Sequence, residues 1–248
     1  MMNMLPADLT VTHLLAVAFL VLSWVGYGPL LSILSKGTLN SQLGLVRKHW
    51  VDVSTRRENR TFDAVLLGHI INSVAFFGSA TLIVLAGLVS AFVNVRRVHE
   101  IVVELPFLKT TSVEAFSAEL AVIVCILMIC FFLFTYALRK LIYCVALIGA
   151  LYEGPAETKE HHDMISATSL VMTEALKSFN SGIRGYYFSV AALFLFLDPL
   201  ACIAVTAAVT ALLIYRQIYT RTARSIGSYV NAINKHAESM KQRIGKTD

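Results

Sequence analysis

Charged side chains are scarce in this chain. Asp, Glu, Lys and Arg make up 15% of it, against 56% hydrophobic residues and a mean hydropathy of +0.67. Soluble domains carry about 25% charged residues, so the balance points to a membrane protein. Paired cysteines are lacking as well. Cys125, Cys130, Cys144 and Cys202 fall in apolar helical patterns, with no C-x-x-C spacing and no His at ligand distance. They read as small buried hydrophobes, which argues against a metal or redox centre. Walker A, nucleophile-elbow, H-E-x-x-H and dinucleotide patterns are missing too, so neither an enzyme nor a cofactor is expected. The first ten residues place no Lys or Arg ahead of the apolar run, which reads as a retained span rather than a signal peptide.

Long apolar runs are present instead. A bilayer-spanning helix needs about 20 such residues. Four runs meet or approach that length: 11–34, 69–93, 120–138 and the stretch from Gly185 to Tyr215, which lacks Lys and Arg. Gly26–Pro29 is expected to kink the end of the first, because Pro29 removes a backbone donor. A helical lead, "RTFDAVLLG", enters the second, and the third is expected to run on until Gly154-Pro155. Between Thr158 and Phe179, Met164, Thr168, Val171, Ala175 and Phe179 recur at three- and four-residue steps. That predicts an amphipathic helix capped by Thr158, lying on the membrane surface or packing on the third helix.

As one straight helix, Gly185–Tyr215 would be about 46 Å long, well beyond a hydrocarbon core of about 30 Å. Lys and Arg in short loops favour the cytoplasm. A single crossing divides the 21 cations 11 to 10, whereas a turn at Asp198-Pro199 divides them 18 to 3. The turn is preferred, with Asp198 hydrated and Pro199 in the first turn of the returning helix. The expected fold is an all-α polytopic membrane domain covering residues 1–248, with spans 11–34, 69–93, 120–138, 183–197 and 199–215. Helical parts at about 36–65, 139–182 and 216–248 lie in the cytoplasm. The N-terminus is outside the bacterial inner (plasma) membrane and the C-terminus inside. Arg184, Tyr186, Tyr187, Tyr215 and Arg216 are expected to anchor the inner interface.

Four blocks also resemble a known family in their order: "RRENRTFD" before "NSVAFFGSATLIVLAGL", then "FFLFTYALRKLIYCVALIGA", then "FNSGIRGYYFSVAALF" ahead of Asp198-Pro199. The resemblance runs from about Trp50 to Tyr219 and is to the bacterial and plant integral-membrane family known only as domain of unknown function five-nine-nine. It implies a membrane fold and no activity. Where members of that family often carry a Trp and an amide around the Arg of the third block, this chain has Tyr136 and Ile142.

The intramembrane polar candidates are His69, Asn72, Ser73, Ser79, Arg139 and Asp198. His69, Asn72 and Ser73 share a helix face, which suits either a polar pathway or close helix packing beside Gly68, Gly78, Ala80 and Gly87. Arg139 suits a charge closing the third span at the cytoplasmic interface. His13 and His69 lie about a bilayer thickness apart, too far to share a haem within one chain. Adjacent residues of "EHHD" (160–163) point apart on a helix and make a poor metal site. Two functions are expected to compete: a self-associating structural or accessory subunit of a membrane complex, and a homo-oligomeric channel or transporter. The partners expected are anionic membrane lipid and either further copies of the chain or another membrane protein. No nucleic-acid partner is expected, because the basic residues sit in blocks between apolar runs and leave no compact basic domain.

Overall fold

The computed structural model describes residues 9–34, 38–104 and 111–244. Lys36, Lys109, Lys246 and the start of the chain through Asp8 lie outside the described residues. Among the described residues the regular structure is helical throughout. The order is α1 (Val11–Leu34), α2 (Leu39–Thr55), α3 (Thr61–Val93), α4 (Val95–Val103), α5 (Val113–Gly149), α6 (Lys159–Leu193), a 3-10 turn (Phe194–Phe196), α7 (Pro199–Ile218) and α8 (Arg221–Ile244). Four stretches are long and apolar enough to cross a membrane: Val11–Leu31, Thr61–Val93, Val113–Gly149 and Pro199–Ser239. This is the architecture of a polytopic helical membrane protein.

α5 is the central element, and its buried side chains show why. Leu120, Ile123, Leu127, Cys130, Phe134, Ala137, Leu141 and Cys144 alternate three- and four-residue steps, the seam of a coiled coil. The facing residues of α6 are small along much of its length: Ala175, Ser178, Gly182, Gly185, Ser189 and Ala192 are all buried. Small residues let two backbones approach, which matters where lipid removes the hydrophobic driving force and van der Waals packing remains. A Cβ on Gly182 would lie 2.5 Å from the Phe134 ring, and one on Gly185 would lie 2.2 Å from Cys130 Sγ. Phe77, Phe179 and Tyr186 gather around Phe134, with ring centroids 5.6 to 5.8 Å from it.

The corner at Asp198-Pro199 is a tight reversal. Asp198 caps α7 by accepting from the Leu200 N–H at 3.1 Å, and Pro199 stands at the start of the helix. The two arms meet again at their far ends, where exposed Arg216 donates from Nη1 to the Tyr187 hydroxyl at 3.1 Å. α7 also packs along α1, fastened by the Tyr27 hydroxyl donating to the Leu213 carbonyl at 3.1 Å. α2 lies against both α6 and α8. Asn180 donates to Asn40 at 3.4 Å, and Gly227 leaves room for Gln42.

Several expectations change. The amphipathic stretch and the expected span 183–197 as far as Leu193 are one 35-residue helix, α6, whose Thr158 cap accepts from the His161 N–H as expected. Gly182 and Gly185 are contact points within that helix. α5 ends at Gly149, before the Gly154-Pro155 pair; Gly154 adopts φ +99° and donates its N–H to Thr55 O at 2.8 Å. α1 keeps its expected bounds, Val11–Leu34, with Pro29 inside it. α4, a short helix, was not anticipated. Cys130, Cys144 and Cys202 are buried, but Cys125 is exposed.

Candidate functional site

The polar candidates on α3 do not converge inside the molecule. His69, Asn72, Ser73 and Ser79 are all exposed. Ser73 turns its hydroxyl back to His69 O at 2.8 Å, which satisfies it within its own helix. Gly68 and Gly87 have open space where a Cβ would be, so the close packing expected around α3's small residues occurs on α6. Gly68, Asn72, Ser79 and Gly87 lie near one outward stripe of a 3.6-residue helix. Beside it, Ala75, Gly78, Ser79 and Thr135 line a shallow groove of about 190 Å³ between α3 and α5.

Arg139 is exposed and donates to the Tyr143 hydroxyl at 2.7 Å along the outer face of α5. It faces away from the packed core. Lys140 points inward instead, bonding Glu174 O at 3.3 Å and Ser178 Oγ at 3.1 Å under the Tyr136 ring. Of the expected interface anchors, Tyr215 is exposed and stacks on exposed Tyr219 with ring centroids 6.0 Å apart. Tyr186 turns inward. It packs among Phe77 and Phe134, with its hydroxyl against Thr81 Oγ1 and the Phe77 carbonyl, because the α5–α6 seam turns it inward.

Arg184, another of the expected anchors, turns toward α1. Its guanidinium folds over the Tyr27 ring, 5.0 Å from the centroid, and Nη2 donates to Ser181 Oγ at 2.7 Å. Its Nε is buried without a hydrogen-bond partner. Two cavities of about 340 and 450 Å³ adjoin this side chain, sharing Tyr27, Asn40, Asn180 and Arg184. The smaller adds Arg47, Tyr187 and Arg216. Burial lowers the Arg47 pKa from its ordinary value. Among the described residues, neither cavity is lined by Asp or Glu, and no carboxylate lies within 4 Å of these three arginines. Their guanidinium forks suit planar oxyanions such as carboxylate or phosphate. α1, α2, α6 and α7 build this cationic site together. Sequence reasoning found Arg184 and Arg216 separately and missed Arg47. Its signal was an Arg in a helix whose neighbours at Leu43 and Trp50 are half-buried.

Two further polar ties were not legible. Asp63 accepts from Trp50 Nε1 at 2.6 Å and pairs with Arg57, while Arg60 donates to the carbonyls of Leu151 and Tyr152 at 3.3 and 3.2 Å. "RRENRTFD" is therefore a structural corner joining α2, α3 and the α5–α6 loop. At the other end of the molecule, His13 Nε2 lies 3.5 Å from Glu119 Oε1, both buried, tying α1 to α5. His161 is buried while Glu160, His162 and Asp163 are exposed, so "EHHD" does not gather.

The family described as Protein of unknown function, DUF599, matches residues 15–222, and the chain belongs to that family. No curated protein and no solved structure matches the chain.

Proposed function

We propose that this member of the family is a non-catalytic, multi-pass protein of the bacterial inner membrane that self-associates as a structural or accessory subunit. α3 carries the reading. It meets the rest of the chain chiefly along α5, and it leaves Gly68, Asn72, Ser79 and Gly87 facing outward. Among the described residues no hydrogen bond joins Asn72, Ser79 or His69 to another element. A polar group taken from water into an apolar medium without a partner costs roughly 2–7 kcal/mol. A second copy supplies partners for Asn72 and Ser79, and the open glycines let its backbone approach.

Orientation follows from the positive-inside rule. The single-crossing alternative needs the tail on the opposite side from the first loop. α2 comes from that loop and α8 from the tail, and the two pack together. This supports the reading with 18 cations on one side and 3 on the other, hence an outer N-terminus and a cytoplasmic C-terminus. The cationic side then faces anionic lipid headgroups. A continuous water path finds less support, because the outer half of α3 exposes Leu82, Ile83, Val84, Val89 and Val93.

The test is the mass of the detergent-extracted particle, combined with thiol crosslinking of Ser79→Cys in a Cys125→Ala background. We expect a particle of two or more chains crosslinked through position 79. A monomer carrying no other protein, with no crosslink at 79, would remove the basis for the reading.

A further inference from the structure

We infer that the cavity enclosed by α1, α2, α6 and α7 binds a phosphate-bearing anion through Arg47, Arg184 and Arg216. The inference uses the membrane placement of the proposed function but not its self-association.

Three features converge. Among the described residues, three guanidiniums without a carboxylate partner line one space of about 340 Å³, Arg47 and Arg184 half-buried and Arg216 exposed at its rim. Like charges held together repel, and the partial burial of Arg47 and Arg184 strengthens the repulsion by lowering the local dielectric. An anion between them removes both penalties, and phosphate oxygens match the guanidinium fork. The second feature is preorganisation. Tyr27 and Ser181 fix the plane of Arg184, while Tyr187 holds Arg216, so little side-chain freedom is lost on binding. Arg184 Nε remains a buried donor with no protein acceptor. An anion oxygen reaching it would supply the missing bond.

The third feature is depth. Tyr27 stands sixteen residues past Val11 in α1, about 24 Å along the axis. Arg216 stands eighteen residues past Asp198, about 27 Å along α7 from the same outer end. In a hydrocarbon slab about 30 Å thick, both fall near its cytoplasmic boundary, where phospholipid phosphates begin. The walls fit an amphiphile: Leu176, Phe179, Ile183 and Leu213 lie beside the arginines. A lipid headgroup and a free phosphate share this chemistry.

The experiment uses the full-length protein in nanodiscs of phosphatidylcholine alone, with one-fifth phosphatidylglycerol, or with millimolar inorganic phosphate. Thermal unfolding and native mass spectrometry of retained lipid are read together. Phosphatidylglycerol is expected to raise the unfolding temperature and to remain bound. Arg216→Gln and Arg47→Gln should each weaken retention at least tenfold, while Arg139→Gln, outside the cavity, should not change it. Arg184→Gln is informative only if it folds; the other two variants carry the test without it. Stabilisation by inorganic phosphate, lost in the same variants, would identify a free anion as the ligand and support the site equally. No response to either anion would overturn the inference, as would equal losses in Arg139→Gln and Arg216→Gln.

Discussion

Glycine means opposite things at different places in this chain, and neighbouring atoms decide which. Gly185 lies where a Cβ would meet Cys130 Sγ at 2.2 Å and Trp24 Cζ2 at 3.0 Å. Cys130 belongs to the α5 seam and Trp24 to α1, so one substitution pushes on two neighbours. Overpacking of this kind typically costs about 1–3 kcal/mol. Gly185→Ala is therefore expected to lower the thermal midpoint of the detergent-solubilised protein. Gly87→Ala meets nothing within 4 Å. It lies within a helix, where Ala is better than Gly by roughly 0.5–1 kcal/mol, so the monomer should be unchanged or slightly more stable. Equal losses in the two variants would mean that α6 does not approach α5 as closely as described.

At the scale of elements, the sequence was most legible where local chemistry alone sets a boundary. α1 begins and ends as read from its apolar run, Thr158 caps α6, and Pro199 starts α7 after its aspartate. It was least legible where distant residues decide. The amphipathic pattern up to Phe179 and the apolar run after it read as two helices, but Gly182 and Gly185 face α5 and the helix continues. The α5 seam was hidden because apolar residues fill its other faces as well, for lipid. Arg47, Arg184 and Arg216 lie on three helices, and no spacing rule connects them. The Asp63 corner was hidden in the same way, because its partners Trp50 and Arg57 come from α2 and the turn after it. Asp63→Ala removes the acceptor for both. Hydrogen bonds to a charged group contribute about 1.5–3 kcal/mol, which is the expected loss of stability. Faster amide exchange through residues 50–60 should accompany it. Asp63→Asn, which keeps an acceptor for Trp50, should lose less. If both variants unfolded like the parent, the corner would not be what holds α2 to α3.

The whole molecule is asymmetric along its long axis, and one measurement can orient it. One end gathers the corner at Asp198, the buried His13–Glu119 pair and the start of α5. The other gathers α2, the α5–α6 loop, α8 and most of the cations. A helix crossing once between Gly185 and Tyr215 would separate α2 from α8, yet those helices touch. The hairpin is therefore a property of the fold, whereas the direction in which it points rests on charge. Arginine and lysine are held on the cytoplasmic side during insertion, so Asp198 should face outward and Ser228, exposed on α8, inward. In a Cys125→Ala background, a membrane-impermeant maleimide applied to intact cells should label Asp198→Cys. It should reach Ser228→Cys only after the cells are opened. The reverse pattern would invert the orientation and move the arginine cavity to the outer leaflet, where anionic lipid no longer explains its charge. Labelling of both positions in intact cells would be the more serious result, because α7, a 20-residue apolar helix, would then not separate its two ends across a membrane.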